Sequence, residues 1–111
     1  MVLFGFNPVF NSVFLIGSPE IKTKLKQLNN QWNLIDNKLV RSFKFKNFEV
    51  TFNFMKEIAA LSEKLHHHPS WTNTYNRLEI TLWTHDMKGL SDLDFKMAKK
   101  IDVLFDNFSK T

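Results

Sequence analysis

The chain has 111 residues, 43% of them hydrophobic and twelve of them Phe, which suits one domain with one core. It contains no Cys, so disulfides, thiol catalysis and every zinc site that needs a thiolate are excluded. The net charge is +4, but the lysines are scattered and there is no arginine cluster, which favours a solvated surface over direct nucleic-acid binding.

Residues 1–17 read as an apolar, Phe-rich N-terminal extension, packed on the domain or disordered. They lack the positive charge of a secretory signal or transit peptide, and Asn7, Pro8 and Asn11 interrupt them, so no targeting role and no membrane span are expected. Residues 18–111 read as the domain proper. Ser18 followed by Pro19 predicts a helix start with a capping hydroxyl, and Ile21, Leu25 and Leu28 share its inner face, with an end near Asn29–Asn30. Trp32 to Ile35, Asp36–Asn37 and Leu39 to Lys46 predict a hairpin whose second strand puts Arg41, Phe43 and Phe45 on one face.

From Phe48 the period becomes helical, and Phe48, Phe52, Met55, Ile58, Ala59, Ser62 and Leu65 form the expected buried stripe. Pro69 ends this helix, which leaves His66, His67 and His68 at its exit. Trp71 to Tyr75 and Leu78 to Thr84 predict a second hairpin, with His85 on its less apolar side or just past its end. Ser91-x-x-Asp94 resembles a capping box with Asp in place of Glu or Gln. The last helix follows, with Met97, Ala98, Ile101, Leu104, Phe105 and Phe108 on one stripe. The order α-β-β-α-β-β-α implies an α+β domain, a four-stranded antiparallel sheet with three helices packed on one face.

All four histidines fall within twenty residues. Three consecutive ones point about 100° apart on a helix, which disfavours a shared metal ion, and no His-Glu-x-x-His pattern is present. A His after a helix can also cap a carbonyl, which would account for one of them, such as His66. Acid–base chemistry is the third reading, because imidazoles around one cleft can donate one proton and remove another near neutral pH. Glu63 precedes His67 by one helical turn and could orient that ring.

The pattern Glu63, His67-His68-Pro69-x-Trp71, Tyr75-Asn76, Leu82-x-Thr84-His85-Asp86, Gly89-Leu90-Ser91 and Asp94 resembles the pterin-4a-carbinolamine dehydratase family. The resemblance runs from about Ser18 to the C-terminus. It implies the same α+β fold and the removal of water from 4a-hydroxytetrahydropterin to give quinonoid dihydropterin, with no metal and no organic cofactor. By position it implies His67 and His85 as the acid–base pair, with His68 mainly positioning the pterin and open to an acid–base role. His66, His67 and His68, together with Trp83, Thr84, His85 and Asp86, are the implied pterin contacts. Glu63, Trp71, Tyr75 and Asp94 are the implied supports, Asp94 capping the last helix, reaching the histidines, or both. Trp32 is open to either a pterin approach or core packing. One departure stands beside the pair: His66 occupies a position where the family usually has Asp or Asn, a change expected to alter cleft charge and substrate preference.

The resemblance also implies a homodimer or homotetramer in the cytoplasm, with the nucleus as the alternative. Two other functions stay open. One is a non-enzymatic dimerisation or transcriptional cofactor module. The other is a dehydratase-like role in folate or molybdopterin metabolism.

Overall fold

The computed structural model describes residues 15–109, so residues 1–14 of the expected extension lie outside the described residues. Helix α1 spans Ser18–Lys26, strands β1 and β2 span Asn33–Ile35 and Lys38–Lys44, and helix α2 spans Phe48–Leu65. Strands β3 and β4 span Ser70–Thr74 and Arg77–Leu82, a 3₁₀ turn covers His85–Met87, and helix α3 spans Asp92–Ser109. The strands form one antiparallel sheet in the order β1-β2-β4-β3.

Alternation sets the core. Leu39, Arg41 and Phe43 of β2 and Leu78, Ile80 and Leu82 of β4 are buried on one face of the sheet. Ile21 and Leu28, Phe54 and Ile58, and Phe95, Met97, Ala98 and Ile101 join them from the helical segments. The first hairpin turns at Asp36 and Asn37, both with positive φ, the backbone that a two-residue hairpin turn favours and these residue types tolerate. The second turns at Tyr75–Asn76 and is tied to the end of β2: the Phe45 N–H donates to Asn76 O at 2.9 Å, and Asn76 Nδ2 donates to Phe45 O at 2.9 Å.

Three local expectations are corrected. Helix α1 is capped at Gly17 without a side-chain hydrogen bond, so Ser18 lies inside the helix, and the helix stops at Lys26 rather than near Asn29–Asn30. The inner face of α2 is Thr51, Phe54, Ile58 and Ser62, while Phe48 and Phe52 stack on each other in solvent and Ala59 is exposed. The rotation has a cause at the helix start, where the Asn47 side chain caps the Val50 N–H at 2.9 Å. Thr51 and Ser62 tolerate burial because each hydroxyl donates to the carbonyl four residues back, Asn47 O and Ile58 O. Of the two readings open for Trp32, core packing is the one formed: its indole N–H donates to Asp102, which also takes Arg41 Nη1 at 2.6 Å.

Leu15 bridges Ser91, and the Ile16 N–H donates to Leu90 O at 2.9 Å, so the end of the extension runs beside the segment that carries His85. Among the described residues no helix is long and apolar enough to cross a membrane.

Candidate active site

Helix α2 ends in a way that re-aims the histidines. His66 takes a left-handed backbone, φ 52° and ψ 42°, and its N–H returns to the last turn. The His67 N–H then donates to Ser62 O at 3.1 Å. Left-handed backbone costs most residues about 1–2 kcal/mol, and Asn, Asp and His are the non-glycine residues enriched there. His66 therefore suits this turn, as Asp or Asn would. Its side chain is exposed.

After that turn the chain no longer continues the helix, and the i,i+4 pairing of Glu63 with His67 is not formed. Glu63 Oε2 instead accepts from His68 Nε2 at 2.5 Å, both side chains being exposed. The hydrogen bond and the imidazole charge hold the Glu63 carboxyl below its ordinary pKa.

His67 turns inward. It is 8% exposed, and its Nε2–H donates to Asp94 Oδ1 at 2.5 Å. Asp94 is 0% exposed and sits in the first turn of α3. Its other oxygen accepts from Thr84 Oγ1 and from the Ser91 N–H, each at 2.9 Å. Thr84 has one hydroxyl proton and gives it to Asp94, so Ser91 Oγ–H donates to Thr84 Oγ1 across 2.7 Å. Asp94 therefore completes one arm of the capping box and also reaches a histidine. The Ser91 hydroxyl, which would supply the other arm, goes to Thr84.

Chemically, this fixes the His67 tautomer. With Nε2–H committed to a carboxylate, Nδ1 is the nitrogen that can accept a proton, and Asp94 stabilises the imidazolium that results. His68 is biased the same way by Glu63, in solvent. His85 lies past the end of β4, in the 3₁₀ turn, with Asp86 beside it, both exposed. The turn is closed at its base, where the Thr84 N–H donates to Gly89 O at 2.7 Å. Asp94 thus links the α2 exit to the base of the His85 turn through Thr84.

The supports separate. Trp71, second residue of β3, pairs with Ile80 and is partly exposed near the histidine end of the hairpin. Tyr75 is at the opposite end, in the β3–β4 turn, and is 63% exposed. Five strand residues at ~3.3 Å each separate it from the histidines, so the structure does not bring it to them. The half-buried Trp83 carries His85 stacked on its ring. Among the described residues no set of three His, Asp or Glu converges as a metal-ligand group.

Sequence reasoning missed the Trp32–Asp102–Arg41 network. Its signal was present in Arg41, a cation alternating with Phe43 and Phe45 on the inward face, which requires a buried acidic partner. Burial pushes the Asp102 carboxyl above its ordinary pKa, and the donors Trp32 and Arg41 oppose that rise.

The family model for pterin 4 alpha carbinolamine dehydratase matches residues 15–104. The chain belongs to the pterin-4-alpha-carbinolamine dehydratase family. A Prochlorococcus marinus protein named as a candidate dehydratase of this type is 49% identical over 90 residues, covering 81% of this chain and 93% of that protein. A Brucella ovis protein of the same name is 44% identical over 87 residues, covering 77% and 89%. A Brucella melitensis crystal structure, described as a transcriptional coactivator/pterin dehydratase, superposes with a TM-score of 0.78 at 41% identity, covering 82% of this chain and 98% of that one. A pterin dehydratase-like protein described as a RuBisCO assembly factor in the alpha-carboxysome shares the fold, with a TM-score of 0.56 at 24% identity, covering 66% and 84%. In this dehydratase-family chain the matched region contains every histidine and the carboxylates Glu63, Asp86 and Asp94 of the site.

Proposed function

We propose that this protein dehydrates 4a-hydroxytetrahydropterin to quinonoid dihydropterin, as a step in tetrahydropterin recycling. The observation that carries the reading is the buried His67–Asp94 pair, joined through Thr84 to the turn bearing His85. Family membership supports it, as does a site built from proton-transfer groups.

The reaction breaks the C4a–O bond and forms a C4a=N5 double bond. A general acid delivers a proton to the departing hydroxyl, which leaves as water. A base removes the proton on N5, whose electron pair becomes the new bond. His67 and His85 share these two roles. His67, with Nε2–H given to Asp94, starts as the better base, because its Nδ1 is the accepting atom and a carboxylate stabilises its charged form. His85, protonated, then serves the hydroxyl. His68, oriented by Glu63, holds the pterin, and His66, Trp83, Thr84 and Asp86 complete the proposed contacts around it. A cytoplasmic homodimer or homotetramer belongs to the same reading, and sedimentation tests its size.

The deciding experiment is 4a-hydroxytetrahydropterin dehydration by the purified protein. The expected result is a rate well above the spontaneous one, lost on His67→Ala or His85→Ala with the fold intact. A folded wild-type protein that adds nothing to the spontaneous rate would overturn the reading.

A further inference from the structure

The three site histidines are held in two ways. His67 and His68 each give Nε2 to a carboxylate. The His85 imidazole is instead stacked on Trp83, ring centroids 3.9 Å apart and planes 25° apart. Among the described residues no hydrogen bond or ion pair holds the His85 ring. Lys38 Nζ lies over the same indole, 4.3 Å from a ring centroid.

Strand register builds this stack. Leu39 of β2 pairs with Leu82 of β4, so one further step of the ladder sets Lys38 against Trp83. Cross-strand neighbours are in contact, which brings the Lys38 ammonium over the indole. The Asp36–Asn37 turn fixes where β2 begins, and so which side chain meets the indole. Trp83 packs on the edge of the core, which gives it a firm base.

We propose that Trp83 and Lys38 are positioning residues for His85: the indole, braced by the ammonium, fixes the plane of an exposed imidazole and leaves both its ring nitrogens to the substrate. A carboxylate partner would orient the ring too, but would occupy one nitrogen. A stack orients it and occupies neither, which suits a group that must both give and take a proton. Cation–π contact is the bracing force, and Trp is the ring that provides it best. The kinetic consequence rests on the dehydratase reading; the stack itself does not.

The test combines ring-proton NMR with kinetics on Trp83→Ser, Trp83→Phe and Lys38→Met, the His85 signals being assigned with His85→Gln. In the wild-type protein the His85 ring protons should resonate upfield of an exposed imidazole, because they lie over the indole. Trp83→Ser should return them to the exposed position and lower kcat about tenfold or more, with KM within about threefold, since misplacing a reacting group costs rate rather than binding. Trp83→Phe should keep part of the shift and most of kcat. Lys38→Met should weaken the shift and lower kcat about two- to fivefold, the brace being worth less than the stack.

Wild-type His85 protons at the exposed position would overturn the proposal, as would a Trp83→Ser enzyme with unchanged kcat or with only KM raised. If Trp83→Ser fails to fold, Lys38→Met decides: an unchanged shift together with unchanged kcat overturns it. A folded wild-type protein that shows the shift yet has no dehydratase activity counts against the dehydratase reading alone, because the ring shift needs no substrate.

Discussion

Helix α3 carries two inward carboxylates, Asp94 and Asp102, about two turns apart. Each accepts a ring N–H and a donor from the sheet side. Asp94 takes His67 Nε2 and Thr84 Oγ1, and Asp102 takes Trp32 Nε1 and Arg41 Nη1. The device is the same and the consequence differs with the ring. An indole N–H is a donor only and Arg41 is always charged, so neither partner of Asp102 can exchange a proton with a substrate, and the network holds the fold. An imidazole exchanges protons, so the Asp94 network can do chemistry.

Breaking each carboxylate should separate the two roles. Asp102→Ala strands the Arg41 guanidinium, itself 6% exposed and packed on Phe43 and Phe105. Removing one partner of a buried pair costs about 3–5 kcal/mol, so chemical denaturation should show the largest stability loss of the set. Activity per folded molecule should stay within about threefold of wild type, since the network lies away from the histidines. Asp94→Asn should do the reverse, with a smaller stability loss of about 1–2 kcal/mol and a fall of about a hundredfold in kcat, because the amide no longer enforces the His67 tautomer or stabilises its cation.

Glu63→Gln sharpens the comparison at the exposed pair. The pair is in solvent, so stability should stay close to that of the wild type, and kcat/KM should fall about two- to fivefold through a less ordered His68. The Glu63 carboxyl is held low in the folded chain. The His68 contact is therefore present above the unfolded carboxyl value and is lost as pH falls through the lower folded one. A carboxyl ¹³C titration should place the Glu63 midpoint below that of an exposed Glu. The smallest effect belongs to His66→Asn. His66→Asn should leave stability within about 0.5 kcal/mol, whereas His66→Val should cost about 1–3 kcal/mol at its left-handed backbone, measured by thermal or urea unfolding.

Much of the fold was legible because it rests on local chemistry. The Asp36–Asn37 turn and the alternation of Arg41, Phe43 and Phe45 each announce their element in a few residues, whereas α2 stops at the left-handed His66, ahead of Pro69. The phase of α2 was not legible, because two stripes share Ile58 and Ser62. Counting apolar residues favours the one with Phe48 and Phe52, whereas the structure buries Thr51 and Phe54. What decides is the Asn47 cap and the Thr51 hydroxyl bonding back to Asn47 O, which removes the penalty for burying it.

At the site, the identities of the histidines could be read from the sequence, whereas Asp94 could be named as a candidate partner only through the family resemblance. The spacing of Glu63 to His67 predicts a helical pair, but the left-handed turn at His66 breaks the period and passes Glu63 to His68. The His67–Asp94 contact joins residues 27 positions apart, and no local pattern encodes it. Asp94 could be marked as a cap from Ser91 alone; only the packing of α3 against the α2 exit makes it an orienter of His67.

The most direct measurement of the central claim is the single-turnover rate of 4a-hydroxytetrahydropterin dehydration by wild-type, Asp94→Asn and Asp102→Asn proteins, each shown to be folded. The account predicts acceleration by the wild type, retention of most of it in Asp102→Asn, and a loss of about a hundredfold in Asp94→Asn. No acceleration by the folded wild type, or an Asp94→Asn protein as fast as the wild type, would contradict it.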